Sequence, residues 1–159
     1  FCRKAAVAEK GSKVEIWGDG KQTRSFCFVD DCVEGILRLM KSDYDKPINL
    51  GSDEMIDMNG LLNLALSFEG KKAQLKHIPG PEGVRGRNSD NTLIKQVLGW
   101  TPPTELRVGL KKTYNWIKAQ IERERAAGST TDYLKSTIVK QDASVLDNIG
   151  GFLDDQKTN

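Results

Sequence analysis

Trp17-Gly18-Asp19-Gly20-Lys21-Gln22-Thr23-Arg24-Ser25-Phe26-Cys27-Phe28-Val29-Asp30-Asp31 is the stretch whose reading decides the fold. Gly18 and Gly20 flank Asp19 and predict a tight turn. Beyond the turn Arg24, Phe26 and Phe28 recur with period two, which predicts a strand carrying those side chains on one face. Two buried Phe rings would then anchor the strand and leave Arg24 at its mouth. A guanidinium in that place is either a solvated strand end or a grip for an anion, and its neighbours must arbitrate.

A second Gly-rich basic stretch stands at Pro79-Gly80-Pro81-Glu82-Gly83-Val84-Arg85-Gly86-Arg87-Asn88. Long glycine-containing loops on a packed scaffold are where binding residues concentrate, and glycines let backbone approach a phosphate. Arg85 and Arg87 are two apart, so an extended segment sends both to one side, although Arg85 also reads as a plain surface charge. Gln22 and Thr23 add neutral donors and acceptors suited to sugar or phosphate oxygens.

The balance of charge restricts the partners. A net charge of +2 on 159 residues lacks the basic footprint that nucleic acid or a membrane surface requires. No apolar run is long enough to span a bilayer, and Phe1-Cys2-Arg3-Lys4 is not a signal peptide. Cys2, Cys27 and Cys32 are odd in number and lack zinc-site spacing, so they read as packing thiols in a reducing, cytoplasmic setting. The chain opens without Met, in what reads as the middle of a helix, and the expectation is a fragment or an incomplete gene model.

Phe1 to Glu9 reads as helix ending at Gly11, and Val14 to Trp17 as a short strand. Asp30 or Asp31 is expected to cap the next helix, with Glu34 completing a capping box and Val33, Ile36, Leu37 and Met40 forming one apolar face. Pro47 to Gly51 reads as a strand, Asp57 as the cap of a further helix, and Gln74 to Ile78 as another strand. His77, the sole histidine, reads as a structural strand residue. Ser89-Asp90 is expected to cap a short helix that Gly99 ends, before a long helix from about Glu105 to Ala126 with a stripe of Leu106, Leu110, Tyr114, Ile117 and Ile121. Residues 129–159 read as a polar, partly disordered tail.

Taken in order, the Trp-Gly-Asp-Gly-x-x-x-Arg-x-Phe-x-x-Val-Asp-Asp block and the Arg87 to Asp90 segment with Leu98-Gly99-Trp100-Thr101-Pro102 resemble the C-terminal portion of the extended short-chain dehydrogenase/reductases that act on nucleotide-sugars. Within that family, Gln22 to Phe26, Asn49 to Met55 and above all His77 to Asp90 are similar to the epimerases that invert C3 and C5 of a GDP-linked mannose. The likeness covers residues 1–128 and thins beyond them.

The resemblance implies an α/β fold: the end of a Rossmann-type sheet, completed by residues 27–51, plus the smaller substrate-binding lobe. It implies that a GDP-sugar substrate is held by Lys4, Gln22, Thr23, Arg24, Arg87 and Ser136, and that NAD is bound mainly by residues outside this chain. The family's reaction is transient oxidation at C4, inversion at C3 and C5 by a Cys/Lys pair, and return of the hydride. It leads from GDP-mannose to GDP-L-galactose on the route to ascorbate in plants, in an enzyme expected to be a homodimer. The glycine fingerprint, the Tyr-x-x-x-Lys pair and the acid/base residues are read as absent from this chain and expected outside it, so no catalytic residue is assigned and the chain alone is expected to be inactive, poorly stable and to expose an apolar sheet edge. The alternatives left open are a 4-epimerase, a 4,6-dehydratase, or a truncated product that only binds nucleotide-sugar.

Overall fold

Val14 and Ile16 alternate with Lys13, Glu15 and Trp17 along strand β1 (Lys13–Trp17), and the alternation settles which face is buried: Val14 and Ile16 are almost wholly enclosed. The structure is a computed structural model and describes residues 1–81 and 83–134. In chain order its elements are α1 (Cys2–Val7), β1, β2 (Thr23–Ser25), α2 (Val29–Met40), β3 (Met55–Asp57), α3 (Met58–Ser67), β4 (Gln74–Ile78), β5 (Gly86–Arg87), α4 (Thr92–Leu98) and α5 (Leu106–Ala126).

β1 and β4 pair in parallel from Lys13↔Gln74 to Trp17↔Ile78. A parallel pair needs a crossover, and α3 lies within it. α3 begins where Asp57 accepts a hydrogen bond from the Gly60 N–H at 2.5 Å, the expected cap. The core lies between β1 and the helices α1, α3 and α5, around Cys2, Ala5, Ala8, Val14, Ile16, Leu62, Ala65, Leu66 and Tyr114. Small residues on α1 allow it close to α5, whose stripe of Leu106, Tyr114 and Ile121 is buried as its spacing predicts. Lys71 donates to the Ala6 carbonyl at 2.7 Å and pairs with Glu69, so the end of α1 is tied to the segment after α3. Glu69 in turn meets Lys118 of α5, and that cation holds its carboxyl well below the usual range, at about 2. Gly99 ends α4 in the left-handed conformation.

A second, three-stranded sheet has the order β3-β2-β5, with β2 antiparallel to β3 and parallel to β5. The expected strand through Phe28 stops at Ser25, because its partners are only three and two residues long. Phe26 is therefore exposed and Phe28 half-buried, not a pair of buried anchors. Phe28 instead takes the extended N-cap position of α2, so neither Asp30 nor Asp31 caps it. Asp31 is buried and accepts from the Thr104 N–H and hydroxyl, each at 2.9 Å, which binds the first turn of α2 to the approach to α5. Glu34 makes no capping box; it pairs with Arg38 one turn on at 2.7 Å. Ser89 and Asp90 precede the N-cap of α4, which is Asn91, and Asp90 accepts from the Thr92 N–H at 2.9 Å.

Pro47 to Gly51 forms no strand, since among the described residues no other strand pairs with it to complete a ladder. The apolar face of α2 is likewise without cover: Val33, Ile36, Leu37 and Met40 are all exposed. Trp116 stands out from α5 with 65% of its surface exposed, while Trp100 lies under the Arg38 guanidinium at 5.4 Å. Among the described residues no helix is long and apolar enough to cross a membrane.

Leu62 is fully enclosed on α3, so Leu62→Ala is expected to destabilise the fold by about 2–5 kcal/mol, the range for a buried leucine that leaves a cavity, as read from the shift in urea unfolding midpoint.

Candidate anion-binding site

The turn after β1 is fastened on several sides. Gly18 and Gly20 have φ of 67° and 70°, the left-handed region that a turn of this kind needs. A Cβ on Gly20 would stand 2.1 Å from the Asn59 side chain, so only glycine fits there. Asn59, at the start of α3, donates its N–H to the Gly20 carbonyl and its Nδ2 to the Asp19 carbonyl, both at 3.1 Å. Its Oδ1 meets His77 Nε2 at 2.9 Å, a partner for the lone histidine that sequence spacing could not reveal. The Gly18 N–H reaches the Ile78 carbonyl at 2.9 Å. Gly80 completes the fit, since a Cβ there would lie 2.6 Å from the Trp17 indole.

Across this turn Asp19 receives the Arg85 guanidinium as a fork, Nη1 to Oδ1 at 2.9 Å and Nη2 to Oδ2 at 2.7 Å. The Lys21 N–H also donates to Oδ1 at 2.9 Å. The Arg85 hydrogen bonds, with help from that N–H, hold the Asp19 carboxyl at about 2, well below its ordinary 3.8. Arg85, read from sequence as a possible bare surface charge, is thus a structural partner of the turn.

The two remaining arginines lie side by side. In the parallel β2–β5 ladder Thr23 pairs with Gly86 and Arg24 with Arg87. Partners in a parallel ladder share a face of the sheet, and neighbouring strands run about 4.8 Å apart. Arg24 and Arg87 therefore leave one face together. Thr23 leaves the other, where a Cβ on Gly86 would come within 3.0 Å of its hydroxyl. What Thr23 gives the arginine face is its carbonyl, which accepts from Arg24 Nη1 at 2.6 Å. Two like charges in direct cross-strand register destabilise a sheet, and a bound anion removes that cost.

Beside Arg24 opens a cleft of about 400 Å³ whose walls include Lys4, Glu15, Trp17, Gln22 and Tyr133. Gln22 is 6% exposed; its Nε2 donates to the Trp17 carbonyl at 3.1 Å, while its Oε1 is buried with no hydrogen-bond partner among the described residues. An orphaned buried acceptor of this kind is suited to a ligand hydroxyl or N–H. Lys4 donates to the Glu15 carbonyl at 2.7 Å, and burial lowers its pKa against the opposing pull of Glu15. Thr23 and Arg87 do not line this cleft, and Ser136 lies outside the described residues.

Two patterns expected outside this chain are present in it as bare spacings. Gly80, Gly83 and Gly86 reproduce G-x-x-G-x-x-G after β4, but the segment runs into β5 and offers no helix N-terminus to a pyrophosphate. Tyr114 and Lys118 reproduce Tyr-x-x-x-Lys within α5. Tyr114 is a core residue at 1% exposure, its hydroxyl with no hydrogen-bond partner among the described residues though Glu69 lies nearby, and burial with that carboxylate pushes its pKa up, the reverse of what a catalytic phenol needs. Lys118 is committed to Glu69. Burial raises the Cys2 and Cys27 thiols as well, in keeping with packing. Among the described residues no group of three or more His, Cys, Asp or Glu is placed to hold a metal.

Comparison with known proteins agrees with this architecture. Residues 1–51 match the NAD dependent epimerase/dehydratase family. The chain is 58% identical over 146 residues, 91% of its own length, to GDP-mannose 3,5-epimerase of Arabidopsis thaliana, and spans 38% of that relative. Among solved structures it is similar to UDP-glucose 4-epimerase of Thermotoga maritima, crystallised with UDP-glucose, at 29% identity and a TM-score of 0.68 over 76% of this chain and 38% of that one. It is also similar to UDP-glucuronic acid 4-epimerase of Bacillus cereus in complex with NAD, at 26% identity and a TM-score of 0.59 over 67% of this chain and 34% of that one.

Two outcomes follow for the residues just described. The Asp19 pKa is lower folded than unfolded, so what the pair contributes is present above pH 3.8 and is lost as pH falls towards about 2; because both partners are exposed and screened by solvent, Asp19→Asn is expected to change acid urea titrations only slightly and to leave the neutral-pH midpoint where it is. Tyr114→Phe removes a buried hydroxyl that lacks a hydrogen bond and is expected to leave unfolding free energy within about 1 kcal/mol of the parent, measured the same way at neutral pH.

Proposed function

We propose that the chain belongs to the NAD dependent epimerase/dehydratase family, to which residues 1–51 are matched, and that it supplies the substrate-holding part of an enzyme converting GDP-mannose to GDP-L-galactose. The observation that carries the reading is the register that sets Arg24 and Arg87 on one face of neighbouring strands, beside a cleft walled by Lys4 and Gln22. A nucleoside diphosphate brings about two negative charges, and guanidinium forks match phosphate oxygens in both charge and shape. Identity of 58% to a GDP-mannose epimerase, against 29% and 26% to the two UDP-sugar enzymes, supports GDP over UDP and this epimerisation over the 4-epimerase alternative.

In this reading Arg24 and Arg87 grip the diphosphate and Lys4 adds positive charge at the cleft wall. Gln22 Oε1 accepts a hydroxyl of the sugar or ribose, and the Thr23 carbonyl aims the Arg24 guanidinium. Ser136 belongs to the same proposed set. The whole enzyme would oxidise the hexose transiently at C4 and invert C3 and C5, with NAD supplying the hydride chemistry. The described residues do not fit a dinucleotide, because the one glycine triplet of the right spacing feeds a strand, so no step is assigned to NAD here. Residues 27–51 would add to the nucleotide-binding domain, and the whole protein is proposed as a cytoplasmic homodimer on the route to ascorbate.

Arg87→Ala in the full-length protein is expected to raise the dissociation constant for GDP about 10- to 100-fold, the scale for one charge-assisted contact, by calorimetric titration. Unaltered affinity would take Arg87 out of the site.

A further inference from the structure

We propose that the Asp19–Arg85 ion pair is a positioning device that keeps Arg87 in register beside Arg24, an inference that rests on the arginine pair being the diphosphate site. Neither Asp19 nor Arg85 lines the cleft, so both act through other residues. β5 is two residues long, and few ladder bonds fix where it lies along β2. Because side chains alternate with period two, a slip of one residue turns Arg87 to the opposite face and removes it from Arg24.

The restraint acts on the residue just ahead of β5. Arg85 is held twice: its carbonyl accepts the Thr23 N–H at 2.9 Å, and its guanidinium forks onto Asp19. The Asp19 end is itself immobilised. Its carboxylate accepts the Lys21 N–H, its carbonyl accepts Asn59 Nδ2, and the turn that bears it is tied to β4 through the Gly18 N–H. A planar fork on a carboxylate fixes orientation as well as distance, which a point charge would not. The pair is open to solvent, with side-chain exposures of 60% and 45%, and exposed pairs add little to global stability. Its loss is therefore read in ligand affinity and not in unfolding.

The test is calorimetric titration of the full-length protein with GDP and, separately, with guanosine. Asp19→Asn is expected to weaken GDP about ten-fold with guanosine affinity and thermal midpoint unchanged; exchanging the partners, Asp19→Arg together with Arg85→Asp, is expected to restore GDP affinity to within about three-fold of the parent. GDP binding that survives Asp19→Asn while Arg87→Ala abolishes it overturns the positioning inference and leaves the diphosphate site standing. Equal losses for GDP and guanosine, or no recovery on exchange, also overturn it. If Arg24→Ala and Arg87→Ala both leave GDP affinity untouched, the site reading falls and the inference falls with it.

Discussion

Parallel strands cannot be joined by a tight hairpin, and this constraint orders most of what the chain does. Once Val14 and Ile16 commit β1 to the core, β4 must come back from a distance to lie alongside it in the same direction. Both runs then continue past their strands, one through the glycine turn into β2 and the other through the Pro79 to Arg85 segment into β5, and β2 and β5 are again parallel. Residues 13–25 and 74–87 are thus two companion tracks. The Asp19 to Arg85 contact is a rung between them, joining the turn just past β1 to the residue just ahead of β5.

That picture explains why the arginines meet without being near in sequence. Arg24 is displaced from β1 by about as many residues as Arg87 is from β4, so pairing the first strands goes far towards pairing the second. The polar parts of the cleft come from the same track: Trp17, Gln22 and Arg24 follow one another, and α1 contributes Lys4 from beside the core. A hydrophobic decision at Val14 and Ile16 therefore places charges some distance away.

Much of this was legible in the amino-acid order. The alternation in β1 and β4, the Asp57 cap, the glycine stop of α4 and the α5 stripe are local patterns, and each appears where periodicity put it. The failures share a cause. Phe26, Asp31 and the Pro47 to Gly51 segment take their states from tertiary neighbours: a strand that runs out of partners, a carboxylate claimed by Thr104, and a run that packs against Gly35 and Asn91 but pairs with no strand among the described residues. At the candidate site, family likeness picks out Arg24 and Arg87, which the β2–β5 ladder sets in register, whereas Arg85 and Asn59 carry no local signal, because their partners are 66 and 18 residues away. The Tyr-x-x-x-Lys spacing of Tyr114 and Lys118 was passed over in the order of residues, and burial with the Glu69 carboxylate makes the pair structural.

The contact between the Trp17 indole and Gly80 has an optical consequence. Trp17 sits on one track and Gly80 on the other, so the ring's emission depends on how closely the tracks run. With Trp100 and Trp116 exchanged for phenylalanine, this chain would carry a single tryptophan at the seam, whose selectively excited emission reports separation of the tracks without any attached dye.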